Sequence, residues 1–137
     1  EQAVEQAPAP NLRVEVRCVP DLPVIRMDEI LMRQALSNLV QNAIEAMPAG
    51  GDLTVSAGVR ALQGRRREVV VTIADTGVGI PQDRLAKIFL PFFTMKAQGT
   101  GLGLALVHKI VLLHNGRIEV ESREGAGTTV HVFLPAG

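Results

Sequence analysis

The run from Asp28 to Met47, DEILMRQALSNLVQNAIEAM, decides how the rest of the chain is read. Leu36, Leu39, Val40, Ala43, Ile44 and Met47 recur at helical spacing and form one apolar face. Asp28 is placed to cap the helix at its start, and Pro48, Gly50 and Gly51 stop it. Asn38, Asn42 and Glu45 stand at i, i+4 and i+7, so they stack on the opposite face. Outer helix faces are ordinarily polar because water covers them. Asparagine, however, is a mediocre helix former, and two of them one turn apart are unusual. The chemistry they would supply is metal binding, because Mg²⁺ on a nucleotide keeps several waters and takes few protein oxygens. A neutral amide oxygen coordinates it without adding negative charge beside a triphosphate.

Outward from this helix the chain reads largely as strands. Leu12 to Cys18 alternates apolar and polar, and Pro23 to Met27 reads as a second, short strand. Leu53 to Val59 and Glu68 to Ala74 are strands joined by a basic turn with Gly64 and Arg65 to Arg67, expected as a solvated hairpin tip. Gln82 to Phe89 reads as a short helix, and Leu102 to His114 as a longer one ended by Asn115 and Gly116. Arg117 to Ser122 and Thr128 to Leu134 form a hairpin across Glu124 to Gly127. The predicted fold is an α/β (α+β) two-layer sandwich, a mixed, mostly antiparallel sheet with helices on one face. Residues 1–10, rich in Ala, Gln, Glu and Pro, read as a linker or disordered N-terminus ahead of one domain over residues 11–137.

Composition narrows the function. Net charge is zero and Trp and Tyr are absent, so neither nucleic acid nor an anionic membrane is indicated as a partner. Cys18 is the one cysteine; it excludes an internal disulfide, suits a reducing, cytoplasmic compartment, and is expected in the core. No apolar stretch approaches the ~20 residues that span a bilayer.

Two loops carry the remaining chemistry. Asp75 closes a very apolar strand and is followed by Thr76, Gly77, Val78, Gly79, Ile80 and Pro81. A carboxylate at the buried end of a strand needs donors, and an adenine amino group is a suitable one. Guanine presents a carbonyl there and would be disfavoured. The commoner fate of such an aspartate is an Asx turn with its own backbone, and the loop alone does not separate the two. Phe92 to Leu104, FFTMKAQGTGLGL, then joins two aromatics and Lys96 to three alternating glycines and an apolar helical run. Glycines admit close backbone approach and a helix start offers unpaired N–H groups to an anion, so this reads as a phosphate-binding lid. It is neither a Walker A loop, since no Gly-Lys pair occurs, nor a dinucleotide fingerprint, since position 106 is Leu.

In this order the pieces resemble the catalytic ATP-binding domain of a sensor histidine kinase, of the superfamily shared with gyrase, the ninety-kilodalton heat-shock chaperones and mismatch-repair ATPases. The resemblance covers about Asn11 to Pro135. Asn38 to Ala43 matches the N box, Asp75 to Ile80 the first glycine box, Phe89 to Phe93 the F box, and Gly99 to Leu104 the second glycine box. Gly125 to Thr129 and the close at Leu134-Pro135 also match. Phe92 to Lys96 is similar to the nitrogen-regulation subgroup, with Met95 where Thr is usual.

The resemblance implies a Bergerat-type ATP-binding fold that uses ATP and Mg²⁺. By position, Asn42 would ligate Mg²⁺ and Asn38 would contact phosphate or water beside it. Asp75 would receive the adenine amine, with Gly77, Gly79 and Ile80 beside the ring. Phe93, Lys96, Gly99, Thr100, Gly101, Leu102, Gly103 and Leu104 would close over the phosphates. Many sensor kinases carry a cation one turn after the second Asn; this chain has Glu45, which leaves Lys96 as the cation.

The superfamily's ATPases place a water-activating glutamate where this chain has Asn38. An amide is no general base at neutral pH, so phosphoryl transfer is favoured over hydrolysis. The implied acceptor is a histidine on a separate dimerisation domain of the same protein, which hands the phosphoryl to a cognate response regulator. His108, His114 and His131 all lack the Glu-x-x-Asn-Pro context of an acceptor and are expected to be structural or surface residues. The fragment is expected to be monomeric, without membrane contact of its own. The alternatives are a nucleotide-binding regulatory module without kinase activity and an anti-sigma-type serine kinase.

Overall fold

The computed structural model describes residues 11–64, 66–85, 87–88 and 103–136. Its elements in chain order are β1 (Leu12–Cys18), α1 (Glu29–Glu45), β2 (Gly51–Ala61), β3 (Arg67–Asp75), α2 (Gln82–Leu85), α3 (Gly103–Leu113), β4 (Arg117–Arg123) and β5 (Gly127–Pro135). The five strands form one sheet in the order β1-β2-β3-β5-β4. β1 and β2 run parallel, joined by the crossover through α1, and every other pairing is antiparallel. The mixed sheet with helices on one face is therefore as the sequence predicts.

α1 and α3 pack against each other and onto the sheet. Met32, Ala35, Leu39, Val40, Ala43 and Ile44 of α1 meet Val107, Ile110 and Val111 of α3 over Leu53, Ile73, Val130, Val132 and Leu134. Each large side chain withdrawn from water here is worth roughly 1.5–3 kcal/mol. Among the described residues, no helix is long and apolar enough to cross a membrane.

Asp28 caps α1 as expected, its side chain accepting the Leu31 N–H at 3.0 Å. Its own N–H is also satisfied, by His114 Nε2 at 2.8 Å, from the far end of α3. Because Nε2 accepts, the ring proton sits on Nδ1 and is donated to the Ile110 carbonyl at 2.8 Å. His114 thus ties the start of one helix to the end of the other. His131 bridges the outer face of the sheet, between Thr72 Oγ1 at 3.0 Å and Glu121 at 2.9 Å. On the same face Glu68, 5 % exposed, lies beneath Arg117 at 3.1 Å, and the Arg117 guanidinium stacks on Phe133 at 3.9 Å.

Three expectations change. Pro23 to Met27 is not a strand: the segment carries the chain from the sheet edge up to α1, and Val24 is 79 % exposed. Pro23 has no N–H to give a ladder, and short apolar runs do not distinguish a strand from a crossing. Cys18 is exposed, because β1 is an edge strand whose side chains lie largely outside the helical cover. α2 stops at Leu85, short of the predicted end at Phe89, which lies outside the described residues. Arg66 and Arg67 are exposed at the β2–β3 tip, and Arg65 lies outside the described residues.

Replacing His114 by alanine removes the acceptor for the Asp28 N–H and the donor to Ile110. Chemical denaturation should show a loss of roughly 0.5–1.5 kcal/mol; an unchanged midpoint would mean the tie between the helices contributes nothing.

Candidate nucleotide-binding site

The inner face of the sheet is apolar until its last row. There Asp75 ends β3 opposite Thr128 of β5, and Thr128 in turn lies opposite Ser122 of β4. Asp75 is 9 % exposed. Its Oδ1 accepts the Gly77 N–H at 2.8 Å and the Thr128 N–H at 3.3 Å. Both bonds fall on one oxygen, so among the described residues Oδ2 remains for a donor from outside. Burial pushes the Asp75 carboxyl above its ordinary value, and the two backbone donors pull only part of the way back. The Asx turn with Gly77 is therefore present, and it engages Oδ1 alone.

The loop after Asp75 is strapped on two sides. Toward the end of α1 and the start of β2, Val78 donates its N–H to the Ala46 carbonyl at 3.0 Å, and Thr76 Oγ1 accepts the Asp52 N–H at 3.0 Å while touching Met47 Sδ. Toward the β4–β5 hairpin, Gly125 donates to the Val78 carbonyl at 2.8 Å and Ile80 donates to Ser122 Oγ at 2.7 Å. Two glycines make this possible. A Cβ on Gly77 would run into the Ala46 carbonyl, and one on Gly79, whose φ is +75°, into the Arg123 carbonyl. The loop is clamped between helix and hairpin at van der Waals distance.

The predicted residues divide accordingly. Asn38 and Asn42 lie one turn apart on α1, both half-buried, with Glu45 exposed beyond them. The Asn42 carbonyl accepts the Ala46 N–H at 3.0 Å, so the turn bearing Asn42 is the one on which the Val78 strap lands. Gly77 and Val78 are brought onto that turn, Gly79 and Ile80 lie against the β4–β5 hairpin, and Asp75 lies beside Thr128. Gly103 opens α3, and Leu104 is partly buried against the core. Phe93, Lys96, Gly99, Thr100, Gly101 and Leu102 lie outside the described residues.

The sequence reading did not single out Ser122 or Thr128 as site residues. A signal existed in period two, since Ile118, Val120 and Ser122 share a face, as do Thr128, Val130 and Val132. A hydroxyl at an inward position of each strand marks the row beside Asp75.

Among the described residues no group of three His, Cys, Asp or Glu side chains is placed to hold a metal ion.

Comparison with known proteins agrees with this geometry. Residues 27–137 match the family described as histidine kinase-, DNA gyrase B- and HSP90-like ATPase. The sensor histidine kinase ZraS of Escherichia coli is 45 % identical over 114 residues, covering 83 % of this chain and 23 % of the relative. The mycobacterial sensor histidine kinase MprB superposes with a TM-score of 0.82 at 28 % identity, covering 98 % of this chain and 90 % of the other. Full-length ShkA, solved in complex with AMPPNP, gives 0.79 at 30 % identity over 98 % of this chain and 29 % of its own. The chain spans less than a third of the length of the curated relatives it matches. It is a member of the histidine kinase-, DNA gyrase B- and HSP90-like ATPase family, of the type found in sensor histidine kinases.

Proposed function

We propose that this domain holds ATP with Mg²⁺ for transfer of the γ-phosphoryl group to a histidine on a dimerisation domain of the same protein, from which a cognate response regulator receives it. The observation that carries the reading is Asp75: a carboxylate withdrawn from water, one oxygen saturated by backbone, the other left for a donor such as the adenine amine. The AMPPNP bound by ShkA supports an adenine nucleotide as the ligand class.

In this reading Gly77, Gly79 and Ile80 give the base a flat wall, and the turn of α1 with Asn38 and Asn42 faces the phosphates. Phe93, Lys96 and Gly99 to Leu104 close over them, with Gly103 and Leu104 leading into α3. Asn42 suits Mg²⁺, a hard cation that accepts an amide oxygen while phosphate oxygens and water fill its remaining positions. The absence of a carboxylate cluster among the described residues fits a cation that arrives with the nucleotide. Mg²⁺ would neutralise the charge developing on the phosphates. Asn38, one turn before Asn42, lacks the basicity to activate water, which keeps hydrolysis slow and leaves the phosphoryl group for an acceptor.

The direct test adds a helical domain bearing an acceptor histidine to this chain and follows transfer from labelled ATP. Acid-labile label on that histidine is expected. Label on serine of a partner would favour the serine-kinase alternative, and binding without transfer the regulatory module.

Asp75→Asn keeps an Oδ1 for Gly77 and Thr128 but replaces the open acceptor by a donor. ATP affinity should fall by about 1–3 kcal/mol, read by calorimetry. Stability should move the other way. The folded state raises the Asp75 pKa, so it favours the protonated acid, and the ionised form costs stability above that pKa. The variant should therefore melt no lower than wild type at neutral pH, and its advantage should shrink as pH falls through the raised pKa. A lower melting temperature combined with intact ATP affinity would refute the assignment.

Asn42→Ala should melt like wild type and bind nucleotide equally in EDTA, yet lose the affinity that Mg²⁺ adds. Equal Mg²⁺ enhancement in both proteins would remove Asn42 from the metal site.

A further inference from the structure

The row Ser122–Thr128–Asp75 contains two hydroxyls that the reading above does not use. Both are half-buried on the helix-covered face, and their hydrogen bonds can be counted atom by atom. Ser122 Oγ accepts the Ile80 N–H at 2.7 Å and donates its one hydrogen to the Gly127 carbonyl at 3.1 Å. It also lies 2.7 Å from Thr128 Oγ1. Either hydroxyl could donate across that short contact; with the serine hydrogen on the carbonyl, which can only accept, donation from Thr128 to Ser122 is the arrangement that makes both bonds. The reverse arrangement would leave the Gly127 carbonyl without the serine and would make one bond fewer. Thr128 therefore spends its only hydrogen on Ser122 and keeps lone pairs alone for a ligand, while its N–H supplies Asp75 Oδ1.

We infer that Ser122 is a positioning residue that fixes the polarity of the Thr128 hydroxyl, so that Thr128 and Asp75 together form an all-acceptor edge selecting a 6-amino over a 6-oxo purine nucleotide. The inference rests on the reading of this pocket as a nucleotide site and deepens it. An amino group carries two N–H donors and meets two acceptors. A 6-oxo group meets lone pairs with lone pairs. Ser122 touches neither base in this scheme; it acts through the hydrogen it withholds from Thr128 and through the Ile80 amide it holds in place.

The test titrates the full chain with ATP and with inosine triphosphate, which carries 6-oxo for 6-amino and, with it, a hydrogen on N1. In Ser122→Ala the Thr128 hydroxyl loses its acceptor and its hydrogen is free to turn toward the base. The ratio of ATP to inosine triphosphate affinity should narrow about tenfold, the scale of one hydrogen bond. Ser122→Thr, which restores the hydroxyl, should keep the wild-type ratio. Thr128→Val should narrow the ratio by itself, and adding Ser122→Ala to it should narrow it no further, since Ser122 acts through Thr128. If Ser122→Ala does not fold, Ser122→Cys takes its place, because a thiol keeps the size but is a weak acceptor.

An unchanged ratio in a folded Ser122 variant overturns the inference and leaves the nucleotide reading standing. So does additive narrowing in the double variant. Failure of the wild-type chain to bind ATP at all overturns the nucleotide reading, and the inference with it.

Discussion

A carboxylate nine-tenths removed from water has to be supplied with donors, and most of what surrounds Asp75 does so or holds in place the groups that do. Thr128 reaches it because β3 and β5 pair in one register, and Gly77 reaches it because the chain turns sharply after the strand. A slip of one residue in that pairing would turn Asp75 to the outer face and put Ala74 in its place. The apolar neighbours Ile73, Val130 and Val132 make such a slip expensive, since each would leave the core with it. The core thereby fixes which polar group sits at its edge.

The second constraint is mechanical. The loop after Asp75 has no secondary structure of its own, yet its amides and carbonyls are bound to α1 on one side and to the β4–β5 hairpin on the other. A glycine stands at each point of closest approach. Asp75 and the asparagines of α1 would otherwise sit on separate layers, one on the sheet and one on the helix. The Val78–Ala46 bond joins the layers at the turn that carries Asn42.

Much of this was legible in residue order. The period of two along Leu12 to Cys18, the cap at Asp28 and the apolar stripe through Leu39 and Ile44 are local signals, and local geometry answers them directly. What failed depended on distant parts of the chain. Cys18 alternates like a core residue, but the helices do not extend over the edge strand that bears it. Pro23 to Met27 has strand composition, yet it pairs with no strand and instead carries the chain from β1 to α1. Ser122 looks like any polar residue in an amphipathic strand until Ile80 and Thr128, far away in sequence, are brought to it. The asparagines were conspicuous for the opposite reason, being poor helix formers placed inside a helix.

Several bonds that hold the fold and the row at Asp75 are long-range in sequence. Thr128 to Asp75 spans 53 residues, Ile80 to Ser122 spans 42, and the His114 tie to Asp28 spans 86. Loops of that length close late, after the entropy of ordering the intervening chain has been met. No partial fold containing only the N-terminal half can assemble the recognition row. A ligand that binds the row accordingly binds the folded state alone, and saturating it at a hundred times its dissociation constant would add about 2.7 kcal/mol to global stability. Occupancy of the pocket and completion of the fold are, in this architecture, coupled equilibria.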